Sequence, residues 1–216
     1  MQTPERADDS GKLGVKQEAS RLEQADIRLG ETLAAKRKHA LVQGLGKADV
    51  IGDQGPLYSV SAAVLAAGLL LRDRRLTGTG VAMLAAIGAA DFGKSLTKGL
   101  VHRTRPHVLM DKDRYDVGTG ESEEKPEQSF PSGHMAGSVA VARAVSRNHP
   151  AAGAAATIGA AAIGLSRLAK GAHWPLDVLG GAVIGLVAEK ITAVALAAVR
   201  DHLLPKLSEA AARRSR

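Results

Sequence analysis

Three short stretches of this 216-residue chain bring chemically active side chains close together. In KGLVHRTRP, residues 98–106, Lys98 and Arg105 flank a turn that Pro106 ends, so both charges can converge on one anion. In SFPSGHMAG, residues 129–137, a proline, a serine, a glycine and a histidine stand at the entrance to an alanine-rich run. If a helix begins there, Ser132 and Gly133 lie where backbone N–H groups are unpaired and the helix dipole is positive, which suits a phosphate. His134 then stands over the bound anion with a proton to give. In SRLAKGAHWPLD, residues 166–177, Arg167, His173 and Asp177 fall around one helix end, with the histidine and aspartate four residues apart as one helical face would place them. Such a carboxylate can fix the imidazole in one tautomer and leave its other nitrogen to attack. Each stretch also has a plainer reading: helix-cap residues, a basic anchor at a helix end, and an ordinary histidine near a membrane surface.

The elements that must position these residues are apolar runs at 57–71, 76–101, 135–147, 151–168 and 175–199, which follow a break at GDQGP, residues 52–56. Crossing a bilayer takes about 20 predominantly apolar residues, a length that two runs reach and three fall slightly short of. Gly153, Gly159, Gly164, Gly181 and Gly185 recur through the runs, and small residues let membrane helices approach closely. Hydrophobic residues make up 45% of the chain but aromatics only 2%, which favours helices over a ring-packed sheet. Mean hydropathy is −0.04, diluted by a charged N-terminal segment and by the polar stretch 102–129. The expected fold is an all-α, polytopic transmembrane helix bundle of about five spans, with a soluble alanine-rich bundle as its rival. The expected division is a charged segment at 1–51, a membrane domain at 52–200 and a basic tail at 201–216. Leu22, Ile27, Leu29, Leu33 and Ala34 recur at loosely helical spacing in the first segment, which reads as an amphipathic or surface helix. No apolar run follows its first positive charges, so no signal peptide is expected.

A net charge of +7 could serve nucleic acid, anionic lipid or phosphorylated substrates. The basic residues cluster beside apolar runs, as in Arg72, Arg74 and Arg75 and in Arg213, Arg214 and Arg216, and no nucleic-acid-binding motif is present, so nucleic acid is set aside. The absence of cysteine excludes disulfides, thiolate metal sites and a cysteine nucleophile. Short loops rich in Lys and Arg stay cytoplasmic. With RDRR at 72–75, SRNHP at 146–150 and the tail on that side, stretches 98–134 and 166–177 share the extracytoplasmic side, together with the N-terminal segment. Asp91, inside the second run, is costly facing lipid and is expected to point into the bundle and pair with Lys94 or Lys98 in a structural role.

Taken together, the stretches resemble the three-part signature of the type-2 phosphatidate phosphatases and their relatives, the bacterial acid phosphatases and vanadium haloperoxidases. That signature is Lys, six residues, Arg-Pro; then Pro-Ser-Gly-His; then Ser-Arg, five residues, His, three residues, Asp. It is met by Lys98 with Arg105-Pro106, by Pro131-Ser132-Gly133-His134, and by Ser166-Arg167 with His173 and Asp177. The resemblance covers about residues 52–200. It implies phosphate binding by Lys98, Arg105, Arg167, Ser132 and the Gly133 amide, attack by His173 oriented by Asp177 to give a phosphohistidine, and protonation of the leaving oxygen by His134. No cofactor and no metal are expected. The implied protein is an integral-membrane phosphatase acting on a lipid phosphate or diphosphate, with membrane lipids as its other partners. Phosphoryl or headgroup transfer, vanadate-dependent halide oxidation and a non-catalytic membrane scaffold remain alternatives. Membrane relatives commonly have a sixth span before the GD turn, where this chain carries its charged segment. That segment either lies on the membrane surface or helps assemble a homo-oligomer. His102, Arg103 and His107 fall outside the signature and could be rim contacts, and 111–128 reads as a solvated loop that could overhang the site.

Overall fold

Helices account for most of the chain, and the sequence marks where they begin. A computed structural model describes residues 20–203, so Arg213, Arg214 and Arg216 of the expected tail and the first part of the charged segment lie outside the described residues. Two helices, α1 (Arg21–Ala34) and α2 (Ala40–Ala48), precede α3 (Gln54–Leu70) and α4 (Arg74–Leu100). A strand β1 (Val101–Arg103), a short α5 (Pro106–Lys112) and a strand β2 (Val117–Thr119) lead to α6 (Gly133–Asn148), α7 (Pro150–Ala169) and α8 (Pro175–Ala198). Ser20 caps α1 by accepting from the Glu23 amide at 3.3 Å, and Asp73 caps α4 by accepting from the Arg75 and Leu76 amides at 2.8 and 3.0 Å. Pro106, Pro150 and Pro175 open α5, α7 and α8, where a missing N–H costs nothing.

The five apolar runs are α3, α4, α6, α7 and α8. Of these, α4, α7 and α8 are long and apolar enough to cross a membrane, and α3 is a shorter apolar helix. The 16-residue α6 threads the middle, packing against α4, α7 and α8. The core joins Leu57 of α3, Met83, Ala86, Ile87 and Ala90 of α4, Ala136, Ala140, Val141 and Ala144 of α6, and Ala188 of α8. Small residues face inward, while large ones such as Leu69, Phe92, Leu96, Ile158, Leu179, Val187 and Ile191 are exposed. That distribution would be unfavourable in water and is what lipid asks of a bundle, whose helices associate through packing of small residues. A side chain at Gly181 would place its Cβ 2.3 Å from the Ser132 carbonyl oxygen, and one at Gly185 would sit 2.5 Å from that of Ala136. These two glycines set the contact of α8 with α6. Among the described residues, no helix ahead of α3 is long and apolar enough to span.

Connectivity gathers the functional stretches. The Arg75 guanidinium donates to the Asn148 carbonyl, and Asn148 donates to Thr79 Oγ1 at 2.9 Å, so the RDRR and SRNHP turns meet at one end of the bundle. The head of α3, the end of α4, the head of α6, the end of α7 and the turn before α8 meet at the other.

Candidate active site

At that second end lies a cavity of about 180 Å³, with four cationic side chains, Lys94, Lys98, Arg105 and Arg167, and two histidines, His134 and His173, in its wall. Lys94 and Lys98 are one turn apart on the last part of α4 and so share a face. Gly133 opens α6 directly against this face: a Cβ there would lie 2.9 Å from Lys94 Cδ. Arg105 is held by its backbone, which donates to the Pro126 carbonyl at 2.9 Å, while the Thr104 amide donates to the Asp116 carbonyl at 2.8 Å. The Lys98 ammonium donates to the Gln128 carbonyl at 3.3 Å. Segment 111–128, expected as a solvated loop, is therefore a brace. Its β2 strand pairs antiparallel with β1, Val101 opposite Thr119, and its carbonyls hold two of the site's cations. Asp91 accepts from Lys94 at 3.0 Å, the first of its two expected partners.

Of the eight residues singled out in the sequence, Lys98, Arg105, Gly133, His134, Arg167 and His173 line the cavity. Ser132 and Asp177 stand behind it, fully buried. The Ser132 amide donates to the Asp177 carbonyl at 3.0 Å, while its hydroxyl does not cap α6 and has no hydrogen-bond partner. Arg105 Nε is buried in the same unpaired state. Burial, helped by the charge of Arg167, holds the Arg105 guanidinium below its ordinary pKa, as expected for two cations converged on one place.

His173 is 3% exposed. Its Nδ1 donates to the Ser129 carbonyl at 2.8 Å, which fixes the proton on Nδ1 and leaves the lone pair of the neutral ring on Nε2. Burial pushes this imidazole below its usual value; Asp177 opposes the shift, and Arg105 and Arg167 add to it. Asp177 Oδ2 lies 3.8 Å from Nδ1, so the direct bond comes from the carbonyl and the carboxylate acts at longer range. Asp177 itself accepts from Ser129 Oγ at 2.5 Å, from the Trp174 amide at 2.7 Å and from Arg103 at 3.1 Å.

Arg103 is the residue that sequence reasoning misplaced. Neither it nor His102 or His107 lines the cavity: His102 pairs with Asp116 at 3.1 Å, and His107 Nδ1 donates to the Gly171 carbonyl at 3.0 Å. Arg103 is 5% exposed, 2.7 Å from Asp26 of α1, donates to the Tyr115 hydroxyl at 3.1 Å and lies over the Trp174 ring at 5.3 Å. Burial works against its charge, and Asp177, Tyr115 and Asp26 more than offset this, so its guanidinium is held above its ordinary pKa. Asp26 also accepts from the Leu176 amide at 2.8 Å, the Tyr115 hydroxyl donates to Glu23 at 2.6 Å, and Gly30 lets α1 press against Trp174. The described part of the charged segment is thus docked onto the supports of His173. On the other side of the site, His134 Nε2 lies 2.8 Å from Asp53 Oδ1, at the head of α3. Asp26 and Asp53 carried no signal in the sequence beyond their charge, and Lys94 was marked only as a partner for Asp91.

Cations, a buried histidine and a helix entrance around one cavity can together hold a phosphoryl group. The structure resembles that of the first transmembrane PAP2-type phosphatidylglycerolphosphate phosphatase from Bacillus subtilis, with TM-score 0.61 and 18% identity over 88% of this chain and 94% of that one. It also resembles Aquifex aeolicus LpxE, with TM-score 0.53 and 22% identity over 76% of this chain and 92% of that one. No curated protein matches the chain. A family model described as the PAP2 superfamily matches residues 79–200, more than half of the chain and inclusive of all three stretches, so the chain belongs to the PAP2 superfamily.

Proposed function

We propose that this protein is a membrane phosphatase that hydrolyses a lipid phosphate or diphosphate through a phosphohistidine on His173. The observation that carries the reading is the hydrogen bond of His173: a buried imidazole on a cavity walled by cations donates its Nδ1 proton to the Ser129 carbonyl, which leaves the lone pair of the neutral ring to Nε2. In the first step the Nε2 lone pair forms a bond to phosphorus as the bond to the leaving oxygen breaks, and that oxygen takes a proton from His134. In the second, water attacks the phosphohistidine, gives its proton to His134 and releases inorganic phosphate with His173 restored. Lys98, Arg105 and Arg167 stabilise the charge on the transferring group, with Ser132 and the Gly133 amide at the same group. The chain supplies this stabilisation from its own cations, so the reaction is proposed to be independent of metal. Asp177, held by Arg103, Ser129 and the Trp174 amide, supports the imidazolium character that develops on His173.

A lipid substrate accords with a cavity at the end of a membrane bundle and with the phosphatidylglycerolphosphate phosphatase named among the similar structures. The end opposite the cavity carries Arg72, Arg74, Arg75 and Arg147, so by the bias of basic residues toward the cytoplasm the site faces the extracytoplasmic side. Residues 52–200 form the phosphatase domain in this reading, with 1–51 and 201–216 as its appendages.

The test is phosphate release by detergent-purified protein, with chelator present, from phosphatidate, phosphatidylglycerol phosphate, undecaprenyl diphosphate and a soluble phosphomonoester. Release that is lost in His173→Ala is expected, and the ranking of substrates identifies the lipid. No release from any of them, or release unaffected by His173→Ala, overturns the reading.

A further inference from the structure

The wall of the cavity is strongly cationic, and one member of it must nevertheless hold an extra proton. His134, at the start of α6, shares the cavity with Lys94 and Lys98 of α4, Arg105 from the turn after β1, Arg167 of α7 and His173 from the turn before α8. Each fixed cation disfavours an imidazolium beside it. Among the described residues lining the cavity there is one carboxylate, Asp53, and its Oδ1 lies 2.8 Å from His134 Nε2. Two other acids lie close by: Asp91 is engaged with Lys94 at 3.0 Å, and Asp177 stands behind His173 with Arg103 at 3.1 Å.

The local backbone favours this pairing over the ordinary use of an aspartate at that position. Asp53 is the N-cap of α3, where its side chain would normally accept an amide of the first turn, yet it makes no side-chain cap bond. The preceding glycine allows the close approach. A Cβ at Gly52 would lie 3.2 Å from His134 Cδ2 and 3.1 Å from the Ile163 side chain, so a larger residue would push the turn off the histidine. The Gly52–Asp53 pair, which in the sequence looks only like a chain break, is thus fitted to the ring of His134.

We propose that Asp53 is a positioning residue for His134, holding its imidazolium form at the cavity wall until the leaving-group oxygen takes the proton. The inference rests on the phosphatase reading of the site and deepens it. When the phosphorus–oxygen bond breaks, the proton passes from His134 to the leaving oxygen; in the second step water returns a proton to His134, and Asp53 holds it there for the next turnover. Asp53 touches no reacting atom.

The experiment compares the full-length wild type with Asp53→Asn and Asp53→Glu in detergent, by two readouts. In protein carrying ¹³C-labelled histidine, the resonance lost in His134→Gln reports the titration of His134. Its charge should be lost about one pH unit lower in Asp53→Asn than in the wild type, and Asp53→Glu should restore it. In parallel, the pH profile of phosphate release from the best of phosphatidate, phosphatidylglycerol phosphate and undecaprenyl diphosphate should keep its acid limb and move its alkaline limb to lower pH by the same amount. If Asp53→Asn fails to accumulate, Asp53→Ser, which can still cap α3, takes its place. An unmoved titration, or a profile lowered evenly at every pH with both limbs in place, overturns the inference and leaves the phosphatase standing. Absence of release from every substrate by the wild type removes the phosphatase reading and the role of Asp53 with it.

Discussion

His173 and His134 line the same cavity and are held by different means. His173 is buried to 3% exposure in a turn whose every support is also buried: the Ser129 carbonyl on Nδ1, the Asp177 carboxylate behind it, and Arg103 joining Asp177 to Asp26. His134 is partly exposed at a helix entrance and is paired with a carboxylate that is itself half exposed. The contrast matches the two tasks proposed for them. A nucleophile benefits from a fixed tautomer, a low proton affinity and no freedom to turn away. An acid that gives and regains a proton in each cycle needs an exchangeable partner and access to water.

The sharpest way to break this comparison is to remove each ring in turn. His173→Ala should lower turnover by about 10⁴-fold or more, the scale seen when a nucleophile is deleted from a unit that acts together. His134→Ala should cost about 10²-fold on a lipid phosphate, at the lower end of general acid catalysis. The first-turnover release of the alcohol from an aryl phosphate separates the two roles: its leaving oxygen needs no proton, so His134→Ala should keep most of that burst and His173→Ala none, with His134 then needed only for the water step. Equal losses on both substrates would erase the distinction.

Next in size is the support of the buried histidine. Arg103→Met leaves Asp26 and Asp177 without their shared cation in surroundings that exclude water. The expected cost is about 3 kcal/mol of stability, read as a lower Tm in detergent, together with lost turnover. Asp53→Asn should leave Tm nearly unchanged, since its pair is half open to solvent. A smaller effect concerns α8: Gly181→Ala places a methyl group 2.3 Å from the Ser132 carbonyl oxygen, and should cost about 1–3 kcal/mol by forcing α8 away from the head of α6.

The smallest effect is a position on the pH axis. In the proposed mechanism turnover needs His173 neutral, and the neutral fraction rises as pH passes upward through the group's pKa. Burial holds that pKa below the ordinary value of 6.5, so the acid limb of the wild-type profile should fall below about pH 6.5, while the alkaline limb belongs to His134. An acid limb above pH 7 would contradict the downward shift that burial gives His173.

Much of this architecture was legible in the sequence, because it is written in local patterns. The five apolar runs became α3, α4, α6, α7 and α8 with shifts of a few residues at their ends, and the three chemical stretches met at one end because they sit at alternate turns of helices that run back and forth. Helix periodicity and punctuation are short-range signals, and they survive in a single chain. What escaped was long-range pairing. Nothing near Arg103 reveals that its partners are Asp26 and Asp177, which come from opposite ends of the chain. Segment 111–128 looked solvated because its side chains are polar, whereas its structural work is done by backbone carbonyls that composition does not report. The docking of α1 is similar: its spacing suggested an amphipathic or surface helix without naming what its buried face meets, and that face, with Asp26, Ile27, Gly30 and Ala34, packs against Trp174 and its neighbours far along the chain.

The central claim is that His173 carries the phosphoryl group, and it is tested most directly by trapping the intermediate. The protein would be mixed with a ³²P-labelled lipid phosphate, quenched in alkali within milliseconds, and mapped by mass spectrometry. The account predicts an acid-labile, alkali-stable label on His173 that disappears on the time scale of phosphate release and is absent in His173→Ala. Phosphate release without any label on His173, or a label on another residue, would contradict it.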